Sequence, residues 1–396
     1  MRILFFNYEY PPLGGGAANA TANILREYAK IPDLEVDLVT SSIDQKYHLG
    51  HIGENVNIHR LPIGKKVDNL HLQSTKDLLM YPWRAYWFSR RLIKIAKKEQ
   101  RPYGLTHSFF TVPCGFISML LKWEFRLPYI VSLRGSDVPG YSDRWPLIYA
   151  FLKPVFALIW QQAAAVISNS LGLKELALKT NPKQKIGVIY NGVDTEKFKP
   201  GGRSLASVPE AKLLEEFNVV STSRLTDRKG INYLIDAMAI IVKKYPQVRL
   251  KIIGDGNARI KFERQSEELG IKDKVKFLGL FSHDEMPVFY NGMRIFVLPS
   301  LNEGMSNTVL EAMSSGLPIL ATDTGGTAEL VTDGENGYII RMKDAVHLAE
   351  KMEILINNPA LRQSMGRVSR ERAEKLNWGN VAGEYCELYD SVILKT

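Results

Sequence analysis

The 396-residue chain carries only two cysteines, Cys114 and Cys386. They lie far apart and form no Cys-x-x-Cys pair, which excludes a disulfide framework and a cysteine-rich zinc site and fits a reducing cytoplasm. A long apolar run is missing as well. The most apolar stretch, Leu147 to Trp160, is broken by Lys153-Pro154 and falls short of the roughly 20 residues that span a bilayer. The chain opens directly on a strand-like run, Ile3 to Phe6, with no basic segment followed by a long apolar core, so no signal peptide is expected. His48 and His51 have no partner in a regular spacing and are expected at the surface rather than on a metal.

What remains is an ordinary globular composition, 45% hydrophobic and 23% charged, in a chain long enough for two domains. The charge is uneven. Residues 1–199 hold 26 Lys+Arg against 16 Asp+Glu, a net of +10, whereas residues 200–396 hold 25 against 26, a net of −1. An excess confined to the first half points to anionic lipid headgroups, nucleic acid or a phosphorylated substrate as partners.

The first half alternates strand and helix patterns. Ile3 to Phe6 leads through Pro11-Pro12-Leu13-Gly14-Gly15-Gly16 into a helix from about Ala17 to Lys30, then a strand at Val36 to Val39. This is the pattern of a parallel α/β sheet. The glycines allow backbone N–H groups to approach a phosphate at the helix start. Asp37 sits about where the ribose-binding acid of a dinucleotide fold would, but Gly14-x-Gly16-x-x-Asn19 lacks the third glycine and Pro11-Pro12 stiffens the turn, which counts against dehydrogenase chemistry.

Tyr81 to Lys98 reads as a helix combining Tyr86, Trp87 and Ile93 with Arg84, Arg90, Arg91, Lys94, Lys97 and Lys98. That mixture suits either an anionic membrane surface or a sheet-covering helix with a solvated basic face. Further strands are expected at Thr106 to Phe110, Tyr129 to Leu133, Ala165 to Ser168 and Ile186 to Ile189. The loop Arg134-Gly135-Ser136-Asp137 follows a strand's carboxyl end, where α/β sheets bind ligands. Lys199 to Pro209, with Pro-Gly-Gly and several serines, reads as a linker, and a second α/β pattern runs from Val219 to Ile340.

The second half holds the densest site layout. Phe296 to Thr322 reads as a strand, a Gly-containing loop, a helix from about Thr308 to Ser315 and another strand. Unpaired N–H groups at that helix start favour an anion, Gly304 admits a ligand to the backbone, and Ser306, Asn307 and Thr308 are good cap residues. Glu303 and Glu311, the latter expected in the first helical turn, are placed to accept hydroxyls on either side of a diphosphate; the plainer reading is that they offset the helix dipole. Arg224 and Lys229, in Ser223 to Gly230, suit a diphosphate or a charged surface turn. Gly254-Asp255-Gly256-Asn257 is a further candidate phosphate or ribose loop.

Together, PPLGGG, SRLTDRKG, GDGN, FLGLFSHDEM, Asn191-Gly-Val-Asp194 with Phe198 and Pro200, and the Glu-x7-Glu element resemble the retaining glycosyltransferases of family four over nearly the whole chain. The resemblance implies the GT-B architecture: two facing Rossmann-like α/β domains with parallel sheets and an interdomain cleft, whose closure would assemble the site. Residues 1–195 would bind the acceptor, 196–377 the nucleotide sugar, and 378–396 would return to the first domain. It further implies that Arg224 and Lys229 hold the donor diphosphate, Glu303 touches the sugar and Glu311 the ribose. Gly304, Met305, Ser306, Asn307 and Thr308 would hold sugar and phosphate through backbone amides. Gly15 and Gly16 would complete the cradle, with Gly254 on the donor side and Phe281 near the base. Many members carry His-Gly-x-Asp or His-Asp where this chain has Arg134-Gly135-Ser136-Asp137; Arg134 is a permanent cation, suited to a departing diphosphate rather than to proton transfer, with Ser136 and Asp137 on the acceptor side.

No Asp-x-Asp triplet occurs, so the acidic metal anchor of other glycosyltransferases is absent, basic residues would replace the metal, and no cofactor beyond the nucleotide sugar is expected. The implied acceptor is a lipid-linked or envelope glycan, met in the cytoplasm or at the inner face of the membrane, with no nucleic acid involved. Two rival readings stay open: a nucleotide-sugar epimerase or hydrolase on the same architecture, and a non-catalytic binder of anionic lipid or glycan.

Overall fold

The computed structural model describes residues 1–63, 75–141, 146–201 and 216–395, with backbone alone for 75–78 and 146–151. The chain divides into two compact units, Met1–Asn191 with Trp378–Thr396, and Gly192–Asn377.

The first unit runs β1 (Arg2–Phe6), α1 (Gly16–Tyr28), β2 (Glu35–Ser41), β3 (His48–Ile52), β4 (Val56–Leu61), α2 (Thr75–Lys98), β5 (Leu105–Phe109), α3 (Phe116–Phe125), β6 (Tyr129–Leu133), α4 (Pro146–Gln162), β7 (Ala165–Ser168), α5 (Leu171–Leu178) and β8 (Gly187–Val188). Its sheet is ordered β3-β4-β2-β1-β5-β6-β7-β8. Every pairing is parallel except β3 with β4. β1 is apolar on both faces because both are covered: Ile3 and Phe5 enter one core with α1, Leu4 and Phe6 another with Tyr81, Ala85 and Ile93 of α2. The antiparallel β3 is an addition to the expected parallel sheet. Its residues are mostly exposed, so it lacks the apolar run by which a buried strand is recognised.

The second unit runs β9 (Phe217–Thr222), α6 (Ile231–Lys244), β10 (Val248–Ile253), α7 (Arg259–Glu268), β11 (Val275–Gly279), α8 (Met286–Asn291), β12 (Ile295–Leu298), α9 (Asn307–Ser314), β13 (Ile319–Thr322), β14 (Gly337–Ile340), α10 (Ala345–Asn357) and α11 (Pro359–Lys375). Its parallel sheet is ordered β11-β10-β9-β12-β13-β14. The chain winds outward from β9 in one direction, then returns beside β9 as β12 and winds the other way. The seam between β9 and β12 is therefore a topological switch point, the place where open α/β sheets bind ligands at the strands' carboxyl ends. In the first sheet the corresponding seam lies between β1 and β5.

The last helix, α12 (Trp378–Ile393), belongs to the first unit. Trp378, Val381, Ala382, Tyr385, Tyr389 and Val392 are buried in its core. The Tyr389 hydroxyl lies 2.7 Å from both Tyr28 Oη and His107 Nδ1, and His107 Nε2 lies 2.8 Å from Ser132 Oγ. Burial first, then the nearby Arg134 charge, pushes the His107 imidazole well below its usual range, so it sits in this network neutral.

The chain crosses between units at Asn191–Gly192 and Asn377–Trp378 rather than within the 199–209 stretch expected as linker. Of that stretch, 202–209 lies outside the described residues. The segment before it is fastened to the second unit. Phe198 is buried, its carbonyl accepts from Ser314 Oγ at 2.5 Å and Arg370 Nη1 at 2.8 Å, and the same Nη1 lies 2.9 Å from the Thr195 carbonyl. No helix among the described residues is long and apolar enough to cross a membrane.

Candidate functional site

The second unit gathers most of the expected donor residues at the carboxyl ends of its strands. Lys229 ends a short 3-10 turn after β9, and Glu303 lies in the loop after β12, so both reach the switch point, where they form an ion pair. Ser300 Oγ donates to the same Glu303 Oε1 at 2.7 Å. Arg224, on the loop shared with Lys229, is exposed and makes no ion pair among the described residues. Gly254 holds a φ of +130°, and a Cβ there would run into the Ser223 carbonyl oxygen, so the loops after β9 and β10 can lie together only with glycine at this position. Phe281, after β11, packs its ring 4.1 Å from that of Phe289.

Past Glu303, Gly304, Met305 and Ser306 are buried, while Asn307 and Thr308 are half-buried at the start of α9. Ser306 is the N-cap: its Oγ accepts from the Val309 N–H at 3.4 Å and lies 3.1 Å from Thr308 Oγ1. The positive end of this helix, which starts four residues after Glu303, favours an anion there.

Because α9 begins at Asn307, Glu311 lies in its second turn rather than its first. There it meets two residues whose part in the site the sequence did not disclose. Tyr290 donates to Glu311 Oε2 at 3.3 Å, and burial together with the neighbouring carboxylate pushes the phenol well up, so it stays protonated. His283 Nε2 lies 3.2 Å from Glu311 Oε1, and His283 Nδ1 lies 2.8 Å from Lys197 Nζ. A lysine ammonium can only donate, so Nδ1 accepts and Nε2 carries the hydrogen given to Glu311. Lys197 is held in turn by Asp284 at 2.6 Å. Gly325 and Gly326 were also missed. The loop after β13 bridges Glu303 through Gly325, and a Cβ on Gly326 would strike the Gly304 carbonyl oxygen. Their signal was a Thr-Gly-Gly-Thr run at a strand's carboxyl end.

The first-unit residues form a separate group. Gly15 is the N-cap of α1 and Gly16 its first residue, after the loop that follows β1. Asp137 is buried and accepts from the Thr111 N–H (2.8 Å), Thr111 Oγ1 (3.1 Å), the Arg134 N–H (2.9 Å) and the Gly135 N–H (3.1 Å). That carboxylate closes its own loop, with four internal donors where an acceptor hydroxyl was expected. Ser136 beside it is exposed. Arg134 donates to Asn191 Oδ1 at 2.7 Å and to Tyr385 Oη at 3.0 Å, and its guanidinium carbon lies 3.4 Å from the Phe109 ring centre. The expected leaving-group cation is thus engaged as a fastener between β6 and the returning α12.

Asp37, the residue that raised the dinucleotide reading, is likewise engaged internally. Arg2 (3.0 Å), Asn57 (2.9 Å), His59 (3.1 Å) and Tyr103 (2.6 Å) all bond its carboxylate. Burial would raise this carboxyl, but the bonds from His59 and Tyr103 and the charge of Arg2 together hold it well below the usual carboxylate range.

Comparison with known proteins agrees with this division. Residues 14–197 match the model of Glycosyltransferase Family 4, and residues 206–372 that of Glycosyl transferases group 1. The capsular polysaccharide biosynthesis glycosyltransferase CapM of Staphylococcus aureus is 30% identical over 283 residues, covering 70% of this chain and 73% of CapM. Among solved structures, sucrose-phosphate synthase from Thermosynechococcus elongatus superposes with a TM-score of 0.84 at 23% identity, covering 100% of both chains. Anabaena HepE, solved in complex with UDP-glucose, gives 0.75 at 20% identity, covering 99% of this chain and 100% of HepE. The fold is GT-B, and the chain belongs to the group 1 glycosyltransferases of family 4.

Proposed function

We propose that this glycosyltransferase moves a sugar from a nucleotide-diphosphate sugar to an acceptor hydroxyl with retention of anomeric configuration and without a metal. The observation that carries the reading is the Lys229–Glu303 pair at the switch point, beside the amino end of α9. The diphosphate takes Lys229 and the first-turn amides, with Arg224 free to close over it; Glu303, relieved of its cation, accepts from a sugar hydroxyl, and Glu311 from the ribose. As the C1–O bond to the diphosphate breaks, Lys229, Arg224 and the helix end stabilise the charge on the leaving group, the largest catalytic contribution in this scheme. The acceptor oxygen bonds to C1 on the same face, and its proton passes to the departing phosphate oxygen. Glu303 serves as a positioning carboxylate rather than a covalent nucleophile, because among the described residues no second carboxylate is assigned to the acid/base work that a double displacement needs.

The acceptor is a lipid-linked or envelope glycan; the similarity to CapM, named for capsular polysaccharide biosynthesis, supports that class. HepE binds UDP-glucose, which supports a nucleotide sugar as donor. The test is a panel of sugar nucleotides offered to the purified protein with and without chelator, with Glu311→Ala and Arg224→Ala as controls and the product anomer read by NMR. The expected result is chelator-insensitive binding of one donor, weakened by both substitutions, with a retained anomer once an acceptor is supplied. Donor binding untouched by both substitutions, or turnover without any acceptor, overturns the reading; the latter marks an epimerase or hydrolase.

A further inference from the structure

Helix α2 has two faces with different obligations. Tyr81, Ala85, Ser89, Ile93 and Ala96 are buried against the sheet at helical spacing. The core therefore has no need of the opposite face, yet that face carries Leu79, Trp83 and Trp87 at four-residue intervals, exposed to 71%, 67% and 46%. Two exposed indoles and a leucine in one line form a contiguous apolar patch of the kind that marks an interaction surface.

The patch borders a groove of about 770 Å³ between α2 and the end of β4. Leu61, Phe88, Leu92, Trp83 and Trp87 line it with apolar surface, and Arg84 and Arg91 line it with charge. Arg84 is steadied by the Pro62 carbonyl at 2.5 Å. Toward the helix's carboxyl end the same face becomes cationic, with Arg91, Lys94 and Lys98 exposed and in no ion pair among the described residues. The nearby acid Glu124 is already held by Arg90 and Tyr86.

We propose that this face of α2 and its groove seat the first unit on an anionic lipid bilayer. The indoles lie at headgroup level, the groove takes up lipid methylenes, and Arg91, Lys94 and Lys98 meet lipid phosphates. The chemistry selects a bilayer over nucleic acid, another anionic partner suggested by the charge: nucleic acid calls for cations along a backbone path, not for an apolar groove lined by indoles. The proposal deepens the reading of a lipid-linked acceptor, but vesicle binding needs neither donor nor turnover, so the two fail separately.

The test is co-sedimentation of the full chain with vesicles of phosphatidylcholine alone or mixed with phosphatidylglycerol, at low and high salt. Wild-type protein is expected to bind the mixed vesicles, to shift its tryptophan emission to the blue on binding, and to release in high salt. Trp83→Ser with Trp87→Ser should abolish the shift and weaken binding at least about 10-fold; Arg91→Gln, Lys94→Gln and Lys98→Gln together should weaken it about 100-fold. All five positions are exposed, so both variants should keep the wild-type melting temperature and affinity for a nucleoside diphosphate. Absence of binding to the mixed vesicles at low salt, binding unchanged in both variants, or a vesicle-independent self-association lost in the same variants would each overturn the proposal.

Discussion

Lys229 and Glu303 stand on loops that follow adjacent strands, β9 and β12, and neutralise each other where the second sheet reverses its strand order. Their side chains are only 15% and 9% exposed. An ion pair so far withdrawn from water leaves either partner costly to strand. In the proposed reaction, an arriving diphosphate would compete with Glu303 for one cation, and a sugar hydroxyl would supply the carboxylate with the partner it gives up.

Opposite effects on nucleotide affinity follow from the two halves of that pair. Glu303→Gln removes the competitor, so Lys229 should hold a nucleoside diphosphate more tightly while sugar transfer falls. Lys229→Ala should weaken nucleotide binding and lower kcat/KM by roughly 100-fold to 1,000-fold. Calorimetric titration with the nucleoside diphosphate, beside transfer rates, checks both; a weaker Glu303→Gln complex would show that the two are not in competition.

His283 is expected to act through Glu311. Its Nδ1 is occupied by Lys197 at 2.8 Å, which leaves Nε2–H to orient the carboxylate. His283→Ala should raise the donor KM about 10-fold with kcat nearly unchanged, the loss of one charge-assisted hydrogen bond. A 2′,3′-dideoxy donor should show no such penalty, because it has no ribose hydroxyl for Glu311 to accept. Double-mutant analysis with Glu311→Gln should be strongly non-additive.

Arg134 separates a fastener from a catalyst. Arg134→Lys cannot span Asn191 and Tyr385 with one planar fork, and Tyr385→Phe removes the acceptor at 3.0 Å. Each should lower the stability of the first unit by about 1–3 kcal/mol. Calorimetric melting reads this directly, and nucleoside diphosphate affinity should stay at the wild-type value.

Acid should unfold the first unit through Asp37. Its folded carboxyl lies below the ordinary range, so the unfolded chain takes up the proton first as pH falls. The contribution is complete above an unfolded pKa of about 4 and is lost progressively as pH drops toward the folded value. Asp37→Asn should be less stable at neutral pH, by about 3–5 kcal/mol for breaking a buried pair, and should lose less stability than wild type on acidification. Denaturant melts across an acidic pH series check the sign.

The alternation of strands and helices was legible because each central strand is buried on both faces and must be written in apolar residues. The placement of Lys229 and Glu303 at one switch point, with Glu311 on the helix beyond, was legible for a related reason: local chemistry fixes them, a turn after a strand and a capped helix start. The β3–β4 hairpin was not, since His48 to Ile52 face water and carry no apolar run. Nor were the partners of Arg134 and Glu311. Tyr385 lies 251 residues from Arg134, and His283 28 from Glu311, separations across which only the folded chain brings groups together. The charge of Arg134 was plain in the sequence; that it would be engaged on a tyrosine of a distant helix was not.

The return of α12 also sets an order of events during synthesis. The second unit is continuous from Gly192 to Asn377 and can close as soon as that length has left the ribosome. The first unit is begun earlier but waits for Tyr385 and Tyr389 to reach Arg134 and His107. At the usual 5–20 residues per second, the roughly 200 residues in between take about 10–40 s. For that interval the older half of the nascent chain lacks the helix that covers its apolar bed.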